Sequence, residues 1–210
     1  MKTDAGREAV ADVYRKILLN RLNAYEAEGL AGLGKYEDGP RDYNLKEIAD
    51  SHMLKFDHLE AYFPGVTRYF NEYPAYKDPR IDEIFYWSRD HLGNKPVIAI
   101  HHVATRRIGE DYLVVTRLVY SNHYYLSSMA VMHLINYADA ISPWTLFVFQ
   151  QRTLTDLNGM FEGFGRNILR TNLEKNVTAE FKAVGKEMEG RYKSRSYANF
   201  PFGMLPRDQR

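Results

Sequence analysis

The chain has no cysteine among its 210 residues. This absence excludes disulfides, thiolate metal sites and cysteine catalysis, but a cysteine-free chain is stable in oxidising and reducing compartments alike. No apolar run approaches the roughly 18 residues that a membrane-spanning helix needs. The amino terminus also lacks the apolar core of a signal peptide. We therefore expect either a cytoplasmic protein or a periplasmic one whose sequence begins after a removed signal.

An excess of charge of one sign is also missing, since 28 Lys and Arg residues face 27 Asp and Glu residues, for a net charge of +1. Nucleic-acid binding usually demands a basic face, so we expect no nucleic-acid partner. The chain has no nucleophile elbow, phosphate loop, zinc-ligand spacing or dinucleotide fingerprint. We therefore assign no cofactor, no metal and no catalytic residues, and the oligomeric state stays open.

Aromatic residues, in contrast, are plentiful, with 16 Tyr, 11 Phe and 2 Trp. Tyrosine has an apolar ring and a polar tip, so it packs into cores and also lines pockets and interfaces. The composition fits a tyrosine-rich core and a tyrosine-lined cavity equally well.

The clearest local pattern is a series of segments rich in β-branched and aromatic residues, which predicts a sheet. A three-residue turn at 109–111 and the lack of room for a crossover helix favour antiparallel hairpins. In that pairing His102 stands opposite Leu118, and His101 points to the other face. Segment 123–137 fits a helix stripe or an alternating strand, and we favour the strand. The five predicted strands are Ile84–Trp87, Val97–Thr105, Tyr112–Tyr120, 123–137 and Thr145–Thr153.

Helical patterns flank the predicted sheet on both sides. Arg7 to Glu28 carries an apolar stripe that ends at Gly29, and shorter helices are predicted at Tyr43–Phe56 and within Val66–Tyr73. A second stripe, with steps of three and four residues, predicts a long helix from about Gly165 to Tyr192. We expect a single domain over 1–193, followed by an extended tail over 194–210.

This order of elements resembles the helix-grip architecture of the START and Bet v 1-like superfamily. The resemblance implies an α+β fold in which a curved antiparallel sheet packs on a long C-terminal helix, with a helical region at the N-terminus. It also implies a role in holding a small hydrophobic molecule, such as a lipid or sterol-like compound, between the sheet and that helix. Some proteins of this kind are enzymes, so a cyclase or hydratase with a histidine acid or base is the alternative. A partner-binding domain with a filled core is the third hypothesis.

Candidate ligand-binding residues come from the strands and from the glycine-rich loop before the final helix. Arg166, near the start of that helix, could meet an anionic head group. If the strands converge, three histidines could instead bind a metal. An exposed Phe-Pro-Phe element in the tail leaves a transient membrane contact open. The polar candidates are His102, Arg117, His123, Tyr125 and His133, and the apolar ones are Tyr86, Trp87, Phe149, Phe161 and Phe164.

Overall fold

The computed structural model of the chain describes residues 4–36, 43–53, 59–92, 95–122, 125–138, 143–155, 178–179 and 181–190. It divides into two units, Met1–Asp156 and Leu157–Arg210. In the first unit a helical N-terminal half precedes an antiparallel sheet, which makes the fold α+β. In the second unit, residues 178–179 and 181–190 are helical. The predicted helix over 165–192 is thus shown only over this shorter stretch, and the tail over 194–210 lies outside the described residues.

The N-terminal half contains one long helix and several short elements. The long helix is α1, and Gly29, with a φ of 63°, allows the chain to turn at its end into a 3-10 helix, Gly29–Leu33. A two-residue strand pair follows, and then three shorter helices. The elements are α1 (Asp4–Glu28), β1 (Lys35–Tyr36), β2 (Tyr43–Asn44), α2 (Leu45–Met53), α3 (Leu59–Tyr62) and α4 (Val66–Asn71).

Five long strands form an open sheet in which each strand pairs with the next along the chain, all antiparallel. The predicted serial hairpins are therefore confirmed, and the segment predicted at 123–137 is a strand from Tyr125 onward, residues 123 and 124 lying outside the described residues. The predicted strand at Ile84–Trp87 is longer than expected, at 12 residues. The strands are β3 (Ile81–Leu92), β4 (Lys95–Ile108), β5 (Asp111–Ser121), β6 (Tyr125–Ala138) and β7 (Pro143–Thr155).

The register of β4 against β5 differs by one residue from the prediction. Asp111 belongs to β5 and pairs with Ile108, so the turn between the strands contains only Gly109 and Glu110. This shorter turn places His102 opposite Arg117 instead of Leu118, while His101 takes Leu118 as its partner. Because the side-chain period of a strand is two, a shift of one residue changes which side chain meets His102.

The core lies between the helices and one face of the sheet, which we call the inner face. That face carries His102 and the buried side chains of Ala104, Leu113, Val115 and Met129. The helical layer adds buried aromatic and aliphatic residues from α1, α3, α4 and the connections between them. They are Tyr25, Leu33, Leu45, Leu59, Phe63, Val66, Tyr69, Phe70 and Tyr73.

The apolar stripe of α1 is buried only toward its C-terminal end. Leu18 and Leu22 pack against the core and Tyr25 belongs to it. Val13, nearer the N-terminus, is 56% exposed, and Val10, Tyr14 and Ile17 are also exposed. The helix therefore reaches the sheet through its last turns, which is where the candidate site described below lies.

Candidate functional site

The candidate site is centred on His102, which β4 places on the inner face under the helical layer. Its side chain is completely buried. The Tyr25 hydroxyl of α1 lies 2.9 Å from Nδ1 of His102, and the Tyr69 hydroxyl of α4 lies 3.2 Å from Nε2. Two helices and one strand therefore meet at a single imidazole ring.

The hydrogen bonds around His102 have one consistent direction. Tyr69 donates its only hydroxyl proton to the carboxylate of Glu83 on β3. The Tyr69 oxygen must then accept at His102, so Nε2 of the imidazole carries the proton and Nδ1 is the acceptor for the Tyr25 hydroxyl. This tautomer is assigned from the network. It also places the protonated Nε2 at 3.3 Å from the Glu83 carboxylate, which can only accept. The chain runs from Tyr25 through His102 and Tyr69 to Glu83.

Burial fixes the protonation states along this chain. It lowers the pKa of His102 to about 4, against the opposing attraction of Glu83, so the ring is neutral at pH 7. Burial also raises the pKa of Tyr25 to about 12 and raises that of Tyr69 further. Partial burial opposes ionisation of Glu83, but hydrogen bonds from Lys77 and Tyr69 outweigh it and the pKa of Glu83 is lowered. Tyr25, His102 and Tyr69 are therefore neutral at pH 7, and the chain ends in the partly exposed carboxylate of Glu83. At the other end, Tyr25 also hydrogen-bonds to the buried cation Arg117.

An aromatic shell surrounds the imidazole and excludes water from it. The Phe85 ring stacks on His102 with centroids 4.5 Å apart, and the Tyr73 ring lies 4.8 Å away. Phe70 meets the same ring edge-on at 5.3 Å, and Tyr25 stacks on Tyr73 at 5.0 Å. This packing explains why a titratable ring is held in its neutral form.

Arg117 is the second polar residue of the site and lies directly opposite His102 on β5. Only 2% of its surface is exposed. Its Nη1 donates to the carbonyl oxygen of Phe70 at 2.7 Å, and the guanidinium carbon lies 5.1 Å from the centroid of the Phe70 ring. Among the described residues, its Nη2 has no hydrogen-bond partner and the guanidinium makes no ion pair. A buried arginine with a free nitrogen is costly unless something accepts from it.

The structure brings together two of the eleven predicted ligand-binding residues, His102 and Arg117. Tyr86 lies on the other face, which we call the outer face, and stacks on His101 at 4.6 Å. Trp87 lies on the edge strand β3 and is 64% exposed. Phe149 pairs with Met132 and is also on the outer face. None of these three side chains borders the buried network.

The remaining predicted residues are separate from the network or outside the described residues. His133 lies on β6 opposite Leu113, four residues along the strand from Met129. Its Nε2 is 3.7 Å from the Asp111 carboxylate, and the Tyr62 ring packs beside it. Tyr125 is half-buried at the start of β6, opposite Thr155. His102 and His133 do not converge, and no cluster of three metal-ligating residues occurs in the part of the chain that is described. His123, Phe161, Phe164 and Arg166 lie outside the described residues.

Several residues of the site were not among the sequence candidates. Tyr25 was counted only as part of the α1 stripe, and Tyr69 and Tyr73 only as part of a short helical segment. A signal was present, because a buried tyrosine needs a partner for its hydroxyl and a buried histidine can supply one. Glu83 carried no local signal, since its role depends on the register of β3 against β4.

No family model, no curated protein and no solved structure matches the chain. Within the described residues, no helix is long and apolar enough to cross a membrane.

Proposed function

We propose that the chain binds a small hydrophobic ligand on the inner face of the sheet, with one acceptor group of the ligand held by Arg117. The observation that carries this proposal is the Nη2 of Arg117, which is buried without a partner among the described residues. Native proteins rarely leave such a donor unsatisfied, and an acceptor group of a bound ligand would satisfy it. Ligand sites typically combine an apolar lining with a few polar groups of this kind.

Apolar surface for the body of the ligand continues from Arg117 across the sheet. Met129 is directly opposite Arg117 and buried, and Val131 beyond it is half-buried. On this face, strand β7 carries Leu146, Val148 and Leu154, which are 43%, 45% and 39% exposed, and the polar Gln150 and Arg152 lie between Val148 and Leu154. A ligand lying along β6 and β7 would cover these side chains and reach Arg117 with its polar end.

The first test is to purify the protein natively, extract it with organic solvent and identify the extract by mass spectrometry. We expect an apolar compound in stoichiometric amount, and re-uptake of that compound by the stripped protein. A clean extract together with no uptake of any apolar compound from a lipid extract would overturn the proposal and favour a filled core that binds a partner protein.

A matched pair of variants locates the ligand. Val148→Lys places a charge on the inner face, whereas Ile84→Lys places the same charge at an equally exposed position, 45%, on the outer face of β3. We expect Val148→Lys to weaken uptake by about tenfold or more, because a charge must then be covered by the ligand. Ile84→Lys should leave uptake unchanged. Equal effects of the two variants would argue against the inner face.

The helix-grip arrangement is a further part of the proposal, and with it a ligand position between the sheet and the C-terminal helix. Its support is the order of elements, an N-terminal helix, then five antiparallel strands, then helical residues at 181–190. Because the chain has no cysteine, a single Ala183→Cys variant can carry a spin label. A helix-grip arrangement predicts that the label broadens amide signals of strand residues. Unbroadened strand signals would contradict it.

An enzyme with a histidine acid or base is the second candidate, and the hydrogen-bond chain that ends in an unprotonated Nδ1 on His102 favours it. Two features make it the weaker candidate. Tyr25 already occupies Nδ1, and a base whose pKa is about 4 removes protons poorly at pH 7. His102→Ala should weaken a carrier modestly but abolish turnover of the extracted compound by an enzyme.

A further inference from the structure

We propose that the ligand is a monocarboxylic acid, bound as its anion by the guanidinium group of Arg117. This inference rests on the proposed function and specifies the chemistry of the ligand's polar end. It distinguishes an acid from a neutral sterol-like or ester-like molecule, which the apolar surface alone would accept equally.

The positive charge of Arg117 is buried and needs an anion as its partner. An arginine side chain stays protonated in proteins, so Arg117 contributes a full positive charge at a position that is 2% exposed. Such a charge is normally paired with an anion. Glu83 does not serve, because its carboxylate is bonded to Tyr69 and to Lys77. Asp50 attracts Arg117 electrostatically, but its carboxylate is 2.7 Å from Lys46. No carboxylate of the described residues is in contact with Arg117.

The hydrogen-bond donors of Arg117 are only partly used. Nη1 of Arg117 donates to the Phe70 carbonyl, and the guanidinium also hydrogen-bonds to the Tyr25 side chain. Nη2 keeps two N–H groups that have no partner among the described residues. Each can donate to a carboxylate oxygen, and charge-assisted bonds of this type are about twice as strong as neutral ones. A ligand hydroxyl or ester carbonyl would satisfy one N–H but would leave the buried charge uncompensated. A carboxylate accepts from the N–H groups of Nη2 and also compensates the buried charge.

A phosphate group fits the surroundings of Arg117 less well than a carboxylate does. A phosphate group carries about two negative charges and three strong acceptor oxygens, and it is usually held by several donors. Arg117 is in contact with Tyr25, Phe70 and the neutral His102, and Met129 is its partner on β6. The other cation in this row of the inner face, Arg152 opposite Met129, is exposed. One cation in an apolar setting matches one negative charge.

The test uses the full-length stripped protein and two pairs of probes that differ only in the polar end. They are decanoate with decan-1-ol, and 2-naphthoate with 2-naphthalenemethanol. We expect at least one acid to bind about tenfold or more tightly than its alcohol by calorimetry at pH 7. With a carboxyl-labelled acid, the ¹³C signal should shift on binding and the ¹⁵Nη signals of Arg117 should shift with it.

The variant Arg117→Met tests whether the preference for the acid over the alcohol depends on the guanidinium group. A methionine of similar volume is expected to fold, because replacing buried charges by apolar residues is often neutral. We expect this variant to lose the preference for the acid and to keep binding of the alcohol. If acid and alcohol bind the wild type equally, or if the variant keeps the preference, the carboxylate inference is overturned and the proposed function stands. If none of the four probes and no compound of the lipid extract binds, the proposed function fails with it. The labelled-acid experiment needs no variant, so misfolding of Arg117→Met would not remove the test.

Discussion

At the scale of single residues, His102 should make the folded state sensitive to acid. The unfolded chain binds a proton on this residue below its ordinary pKa of 6.5, whereas the folded chain does so only at about 4. The contribution of His102 to the free energy of unfolding is therefore fully present above pH 6.5 and is lost as the pH falls toward 4. A lowering of the pKa of His102 from 6.5 to about 4 corresponds to about 3 kcal/mol. Chemical denaturation at a series of pH values measures this loss.

The variant His102→Gln is the control for this pH dependence, because its side chain does not titrate. Its unfolding free energy should change less between pH 6.5 and 4 than that of the wild type. Glu83 also faces His102, but its pKa is lowered, so its own contribution is lost at still lower pH. Tyr25, Tyr69 and Tyr73 stay protonated throughout this range. Identical slopes for the two proteins would show that His102 is not held neutral.

The hydroxyl of Tyr69 should contribute measurably to stability, because it accepts from His102 and donates to Glu83. Tyr69→Phe keeps the ring but leaves a buried imidazole N–H with only the more distant Glu83 oxygen. We expect a loss of about 1 to 3 kcal/mol. Tyr62→Phe is the matched control, since Tyr62 is 59% exposed and should change the free energy of unfolding by less than about 0.5 kcal/mol. Equal effects of the two changes would contradict the directed network.

At the scale of elements, the junction between α1 and the 3-10 helix should tolerate no side chain. Gly29 has a φ of 63°, and a Cβ atom there would overlap the carbonyl oxygen of Tyr73. Gly109, in the turn between β4 and β5, has a φ of 62° with open space around it. Gly109→Ala should therefore cost only the backbone strain, about 1 to 2 kcal/mol. Gly29→Ala should cost about 2 to 5 kcal/mol, because overpacking is added.

Thermal or denaturant unfolding of the two alanine variants tests this difference, since the φ angle is nearly the same at both positions. The comparison isolates the contact between the end of α1 and the segment after α4. A cost for Gly29→Ala no larger than that for Gly109→Ala would mean that α1 is not anchored at this junction.

The elements themselves were largely predictable, and their register was not. Alternation and β-branched residues correctly predicted the strands that became β4, β5 and β7, and alternation correctly favoured a strand over a helix for β6. The one-residue register error arose because Asp111 was assigned to the turn, although it is paired with Ile108. Turn length depends on which residues the sheet pairs, and this is decided by long-range packing as much as by local sequence.

The same reasoning explains how far the site could be predicted. His102 and Arg117 were candidates because polar residues in apolar strands are unusual. Tyr25 is 77 residues away from His102 in sequence, and Tyr69 is 33 residues away. No local pattern in either helix indicates that its tyrosine hydroxyl meets an imidazole. Such a meeting follows only when the helices are placed on the sheet.

At the scale of the whole molecule, the buried cluster formed by the described residues lies in the first unit. Every residue of the buried cluster lies between Tyr25 and Met129, and the hydrogen-bond network from Tyr25 to Glu83 lies within the same range. The contacts that build the site are therefore made by residues far apart in sequence but inside Met1–Asp156.

A chain that ends after Asp156 should consequently keep a cooperative fold. We expect it to unfold in a single transition by near-ultraviolet circular dichroism, because its aromatic shell around His102 is retained. It should also keep the loss of stability between pH 6.5 and 4, since that loss depends on burial of His102. Introducing Tyr25→Phe into the shortened chain is the control, and it should destabilise this chain as much as it destabilises the full-length protein. A shortened chain without a cooperative transition would show that residues after Asp156 are required for the core.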